Sequence, residues 1–128
     1  MEIKIEHLAI WVKDLEKMKE FYCEYFDAVS NEMYHNPKKN FRSYFLSFSG
    51  GTRIELMNNP DISDRENVPG LGFAHFALSL GSRKQVDSLT EKFRQAGISI
   101  VGEPRTTGDG YYESVIADPE GNLIELTV

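Results

Sequence analysis

The sequence predicts an α+β fold in which one β-α-β-β-β module is written twice. Three observations carry the prediction. Glu6-His7-Leu8-Ala9-Ile10 and Ala74-His75-Phe76-Ala77-Leu78 share a His-x-Ala pattern 68 residues apart. Gly51-Thr52-Arg53-Ile54-Glu55-Leu56 and Gly121-Asn122-Leu123-Ile124-Glu125-Leu126 share Gly-x-x-Ile-Glu-Leu 70 residues apart. An amphipathic helical stretch follows the first pattern in both halves, and internal self-similarity of this kind marks a repeated structural unit. The two offsets differ by two residues, so one small insertion separates the copies.

Each element has its own signal. Residues 3–12 alternate apolar and polar side chains and read as the first strand. Asp14 is placed to cap a helix whose Leu15, Met18, Tyr22, Tyr25 and Phe26 recur every three or four residues. Phe41 to Phe48 then returns through Gly50-Gly51 to Arg53–Met57 as a hairpin. In the second copy, residues 75–80 form the strand. Ser82-Arg83-Lys84-Gln85 has the form of a capping box, Val86, Leu89 and Phe93 make the apolar stripe, and Gly97 suits the position just past the helix. Glu113 to Ala117 returns through Asp118-Pro119-Glu120-Gly121 to Leu123–Val128. The modules span 1–57 and 73–128. Residues 58–72 are polar, with Pro60, Pro69, Gly70 and Gly72, and read as a linker inside one domain.

Composition limits the function classes. With 128 residues and 41% of them hydrophobic, the chain has material for one substantial core, yet no apolar run reaches the length of a membrane span. The first residues alternate charged and apolar side chains and lack the apolar run of a signal peptide, so a cytoplasmic protein is expected. Cys23 stands alone, which excludes an internal disulfide and any Cys-based metal cluster. A net charge of −6 without a basic cluster argues against nucleic acid as a partner.

Strand parity says which polar residues share a face. His7, Ala9 and Trp11 lie together, as do Arg53, Glu55 and Met57, opposite the apolar Leu8, Ile10, Ile54 and Leu56. His75, Ala77 and Ser79, with Leu123, Glu125 and Thr127, repeat the arrangement. One His and one Glu from each module therefore reach the face that does not pack on a helix. Two imidazoles and two carboxylates suit a divalent cation: Zn, Ni, Co, Mn or Fe. His35 has no counterpart in the repeat and reads as an ordinary surface residue. Arg53 either binds an anionic substrate group or pairs with a carboxylate. Trp11 and Met57 wall an apolar pocket or belong to the core. Tyr111, Tyr112 and the Gly108-Asp109-Gly110 turn form a loop able to close over the site.

This pattern resembles the vicinal oxygen chelate family, which includes glyoxalase I, ring-cleaving dioxygenases, methylmalonyl-CoA epimerase, fosfomycin-modifying enzymes and bleomycin-binding proteins. The resemblance rests on His7, Asp14-Leu15 with Phe21-Tyr22, Gly51 through Leu56, His75-Phe76-Ala77 and Asp118 through Leu126. It implies paired modules forming a half-open barrel around a metal held by His7, Glu55, His75 and Glu125, and two chains associating as a homodimer. A carboxylate at Glu55 is the glyoxalase I pattern. The implied activity is that of a metal-dependent lyase or isomerase acting on a small α-hydroxycarbonyl adduct, possessing Glu125 as base and Glu55 mainly as ligand. The rivals are a bleomycin-resistance-type binding protein, a metal-dependent thiol transferase and a ring-cleaving dioxygenase. Asn59 coincides with a glutathione-binding Asn of bacterial glyoxalase I. Trp11 stands where those enzymes generally carry Arg, and an indole cannot hold a carboxylate by paired hydrogen bonds.

Overall fold

A computed structural model describes residues 1–66 and 68–128. The chain divides into two compact units, Met1–Glu66 and Asn67–Val128. The expected linker includes residue 67, which lies outside the described residues. Among the described residues no helix is long and apolar enough to cross a membrane.

In the first unit β1 (His7–Trp11) leads to α1 (Leu15–Phe26), then to β2 (Val29–Ser30), β3 (Tyr34–Asn36), β4 (Phe41–Ser47) and β5 (Arg53–Asn58). The strand order is β1-β5-β4-β2, with β3 also pairing β4. The strand that follows the helix in the module is thus supplied by two short pieces. β1 begins at His7 and not at Ile3: Ile3 and Ile5 are exposed, and the register with β5 starts at His7 opposite Arg53. Asp14 caps α1 as expected, its carboxylate accepting the Lys17 amide at 3.1 Å. The helix buries Leu15, Met18, Phe21 and Tyr22 against Leu46, Ile54 and Leu56. Phe21 replaces Tyr25 and Phe26 in the expected stripe.

The second unit runs β6 (His75–Ser79), α2 (Arg83–Gln95), β7 (Ile100–Thr106), β8 (Tyr112–Ala117) and β9 (Leu123–Thr127), in the order β6-β9-β8-β7. Ser82 Oγ accepts the Gln85 amide at 3.2 Å. α2 ends as the glycine predicts. Gly97 has φ +79°, its amide donates to Arg94 O at 3.1 Å, and the Ile98 amide donates to Phe93 O at 2.9 Å. Together these bonds close a Schellman motif. Val86, Thr90 and Phe93 of α2 pack on Ile116, Ile124 and Leu126, all essentially solvent-free. Thr90 is tolerated there because its hydroxyl donates to Val86 O at 2.6 Å and meets Ser114 Oγ at 2.7 Å.

Each unit is therefore a β-α-β-β-β module in which the first strand pairs in parallel with the last. His7 aligns with Arg53 and Ala9 with Glu55 in one; His75 aligns with Leu123 and Ala77 with Glu125 in the other. The two-residue insertion leaves this register unchanged.

Candidate metal and substrate site

Parity in β1 and β5 holds as expected: Ile54 and Leu56 are buried toward α1, while His7, Glu55, Trp11 and Met57 lie on the opposite, helix-free face. Glu55 lies two register positions along from His7, and His7 Nε2 stands 3.8 Å from Glu55 Oε1. The other imidazole nitrogen, Nδ1, bonds to the Glu6 carboxylate. Glu6 also accepts two bonds from Arg53, one from Nε at 2.9 Å. The His7 ring and, after it, the Arg53 guanidinium hold the Glu6 carboxyl below its ordinary range. A carboxylate on Nδ1 places the imidazole proton there and leaves the lone pair on Nε2, the nitrogen that faces Glu55. Glu6 is a partner of His7 that the repeat pattern did not single out, although its place beside His7 at the strand mouth was visible.

The second unit repeats the pair more tightly, with His75 Nε2 2.9 Å from Glu125 Oε1. Glu113 accompanies it. Glu113 pairs with Thr127 on the strand next to Glu125 and shares the helix-free side with Val115 and Ala117, while Ser114 and Ile116 are buried. Burial raises the Glu113 carboxyl above its ordinary value, and a hydrogen bond to Glu125 raises it further. Alternation along β8 was the available signal for this second carboxylate.

The residue chemistry fits a divalent cation. Two donors each about 2.1 Å from one ion and about 90–110° apart stand about 3.0–3.4 Å from each other. The His75–Glu125 spacing lies at the short edge of that range and His7–Glu55 slightly beyond its long edge. In neither unit, among the described residues, do three or more His, Cys, Asp or Glu side chains gather as a complete ligand set. The four expected ligands are thus two matched pairs, one per unit.

The remaining candidates divide. Trp11 is 46% exposed and stands beside the half-buried Met57 on the His7–Glu55 face. Arg53 is held by Glu6, and its guanidinium carbon lies 4.2 Å from the centre of the Phe45 ring. Asn59 spends its side chain on the backbone, donating to Lys39 O at 3.4 Å and accepting the Asp61 amide at 2.9 Å. Tyr112 turns to the helix side, its hydroxyl on Asp87 and the Arg83 guanidinium over its ring. Thr107 and Tyr111 tie the neighbouring turn by reciprocal backbone and side-chain bonds. His35 is exposed on β3 opposite Arg42.

Residues 4–126 match the family model described as Glyoxalase/Bleomycin resistance protein/Dioxygenase superfamily. The lactoylglutathione lyase GLX1 of Arabidopsis thaliana is 32% identical over 124 residues, covering 94% of this chain and 42% of that protein. A probable lactoylglutathione lyase of Synechocystis is 32% identical over 126 residues, covering 94% and 91%. The crystal structure of glyoxalase I from Zea mays superimposes with a TM-score of 0.79 at 26% identity, covering 97% of this chain and 44% of that one. The chain thus spans under half the length of the plant proteins it matches.

Proposed function

Because this chain belongs to the Glyoxalase/Bleomycin resistance protein/Dioxygenase superfamily, we propose that it is a metal-dependent lyase or isomerase of the glyoxalase I type. It acts in the cytoplasm on a small α-hydroxycarbonyl adduct, as a homodimer. One observation carries the reading: the same His–Glu pair occurs twice, in the same parallel register, on the helix-free face of each sheet. Relatives named as lactoylglutathione lyases support it.

His7 with Glu55, and His75 with Glu125, would serve as ligands to a divalent cation: Zn, Ni, Co, Mn or Fe. A bound cation would supply Lewis-acid polarisation of neighbouring substrate oxygens and so acidify the C–H bond of the hydroxyl-bearing carbon beside the carbonyl. The protein does the rest. Glu6 fixes the His7 tautomer so that Nε2 faces the site. Glu125 takes the proton from one substrate carbon and returns it to the next, while Glu55 serves mainly as a ligand. Trp11 and Met57 border the substrate, with Asn59 and Arg53 supporting that border through the backbone and Glu6.

Elemental analysis and chelator titration of the purified protein test the ligand set. About one divalent cation per chain is expected, with large loss in both His7→Ala and His75→Ala. Its affinity falls as pH drops, because protons compete with the cation for the His and Glu donors. Full retention in both variants overturns the assignment.

A further inference from the structure

The helix-free face of the first unit carries aromatic rings that the ligand set does not use. Trp11 stands two residues beyond Ala9, the register partner of Glu55, so it lies about 7 Å along the strand from the Glu55 row. Phe41 meets the Trp11 ring edge to face, with centroids 6.1 Å apart and planes at 89°. Tyr34 leans on the same Phe41 ring at 6.1 Å and is 53% exposed. A Trp and a Tyr left half open beside a potential ligand pair form a platform with uncovered ring surface. At the other end of the face the Arg53 guanidinium is occupied by Glu6. Among the strand residues sharing this face Arg53 is the one cation, so an anionic substrate tail extending past Trp11 meets no strand cation there.

Resting on the function proposed above, we infer that Trp11, Phe41 and Tyr34 make the site selective for substrates whose non-reacting end is a planar aromatic group. The ring of the substrate seats on the three side chains while its adjacent oxygens lie toward His7 and Glu55. Aromatic pairs prefer offset or edge-to-face packing and gain affinity beyond the area they bury. The separation of about 7 Å matches a ligand no longer than an aryl α-hydroxy acid.

Trp11 is the single tryptophan of the chain, so its emission reports directly on this platform. The cation-loaded protein is titrated with lactate and with mandelate, which carry the same hydroxyl–carboxylate donor pair and differ in methyl against phenyl. Cation content is checked after each titration. Mandelate is expected to change Trp11 emission saturably with a Kd about tenfold or more below that of lactate, the scale of one well-packed ring pair with its buried area. Tyr34→Ser, at an exposed position, and Phe41→Leu, which keeps an apolar side chain, are expected to shrink that preference to about threefold or less, on the same grounds, while lactate binding stays as it was. Equal affinities for the two acids overturn the aromatic selectivity and leave the lyase reading standing. Failure of both acids to bind a protein that retains its cation also overturns the selectivity, whereas a protein that takes up no cation overturns the lyase reading beneath it. Emission that turns from buried to exposed on dilution, in step with dissociation of the chains, assigns the rings to a subunit contact and refutes the inference.

Discussion

Replacing Asp118 with Ala should destabilise the second unit more than any other single change in its turns. Asp118 is 4% exposed. Its Oδ1 accepts the Glu120 and Asn122 backbone amides, each at 2.9 Å, and its Oδ2 accepts Asn122 Nδ2 at 2.9 Å. Around it Gly121 donates to Asp118 O at 2.9 Å with φ +87°, and the Asp118 amide donates to Asn122 O at 2.9 Å. This turn fixes the β8–β9 register that sets Val115 opposite Glu125. Hydrogen bonds to a charged acceptor each contribute about 1.5–3 kcal/mol, and water recovers part of that at a loop, so the loss is about 2–4 kcal/mol. With a urea dependence of about 2 kcal/mol per M, the midpoint moves down by about 1–2 M. Asp118→Asn keeps one acceptor but turns a donor toward the Asn122 amide, and should lose about half as much. Urea unfolding by circular dichroism measures both, at one protein concentration with a chelator present, since a bound cation or partner raises apparent stability. An Ala variant within about 0.5 kcal/mol of the parent, the ordinary scatter of surface substitutions, refutes the reasoning, as does an Asn variant weaker than Ala.

Glu125→Gln should keep most of the cation and lose turnover by roughly 10²–10⁴, the scale of a lost general base, with Glu55→Gln retaining more. Steady-state rates with the methylglyoxal–glutathione adduct, then with other thiol adducts, decide it, and equal losses remove Glu125 from the role of base. Sedimentation should show a homodimer; a monomer carrying its full complement of cation contradicts that. Mixing His7→Ala with Glu125→Ala chains should restore activity only when one site draws on two subunits, and no recovery counts against a shared site. Tyr44 donates to Glu16 at 2.5 Å, and this bond, with Lys19, holds the Glu16 carboxyl below its ordinary value. A carboxyl lowered on folding contributes stability above its unfolded pKa, and that contribution disappears as pH falls through the folded value. Tyr44→Phe should therefore flatten the acid limb of a stability–pH profile, and an unchanged limb speaks against the pair.

The duplicated module and the helix caps were legible in the sequence because each rests on local rules. Asp14, Ser82 and Gly97 act within one turn of themselves, and alternation alone separates Glu55 from Ile54 and Leu56. What escaped depends on partners distant in the chain. The strand after each helix is short and split in the first unit. In the second it carries Gly102 and Pro104 and shifts register twice against β8, so no clean alternation marks it. Thr90 looked polar and took a core position where Leu89 was expected, because Ser114 on another strand satisfies its hydroxyl. Glu6 and Glu113 acquire their roles from Arg53 and Glu125, and the pattern of the repeat says nothing of either partnership. The His and Glu positions were readable because they occur twice in equivalent strands.

Parallel pairing of the outer strands gives each His–Glu pair a place in time. His7 and its register partner Arg53 are 46 positions apart, and His75 and Leu123 are 48 apart. On a growing chain the histidine emerges first and waits for a whole helix and the following strands before its carboxylate arrives. The antiparallel β4–β5 and β8–β9 pairs close short loops and are the cheaper contacts to form, whereas docking β1 or β6 beside them closes a long one. The strand pairing that brings the donor pair together thus carries the larger loop-closure cost in its module. A half-synthesised module has no such pair with which to capture a cation, and the first unit can finish its own pair while the second is still being translated.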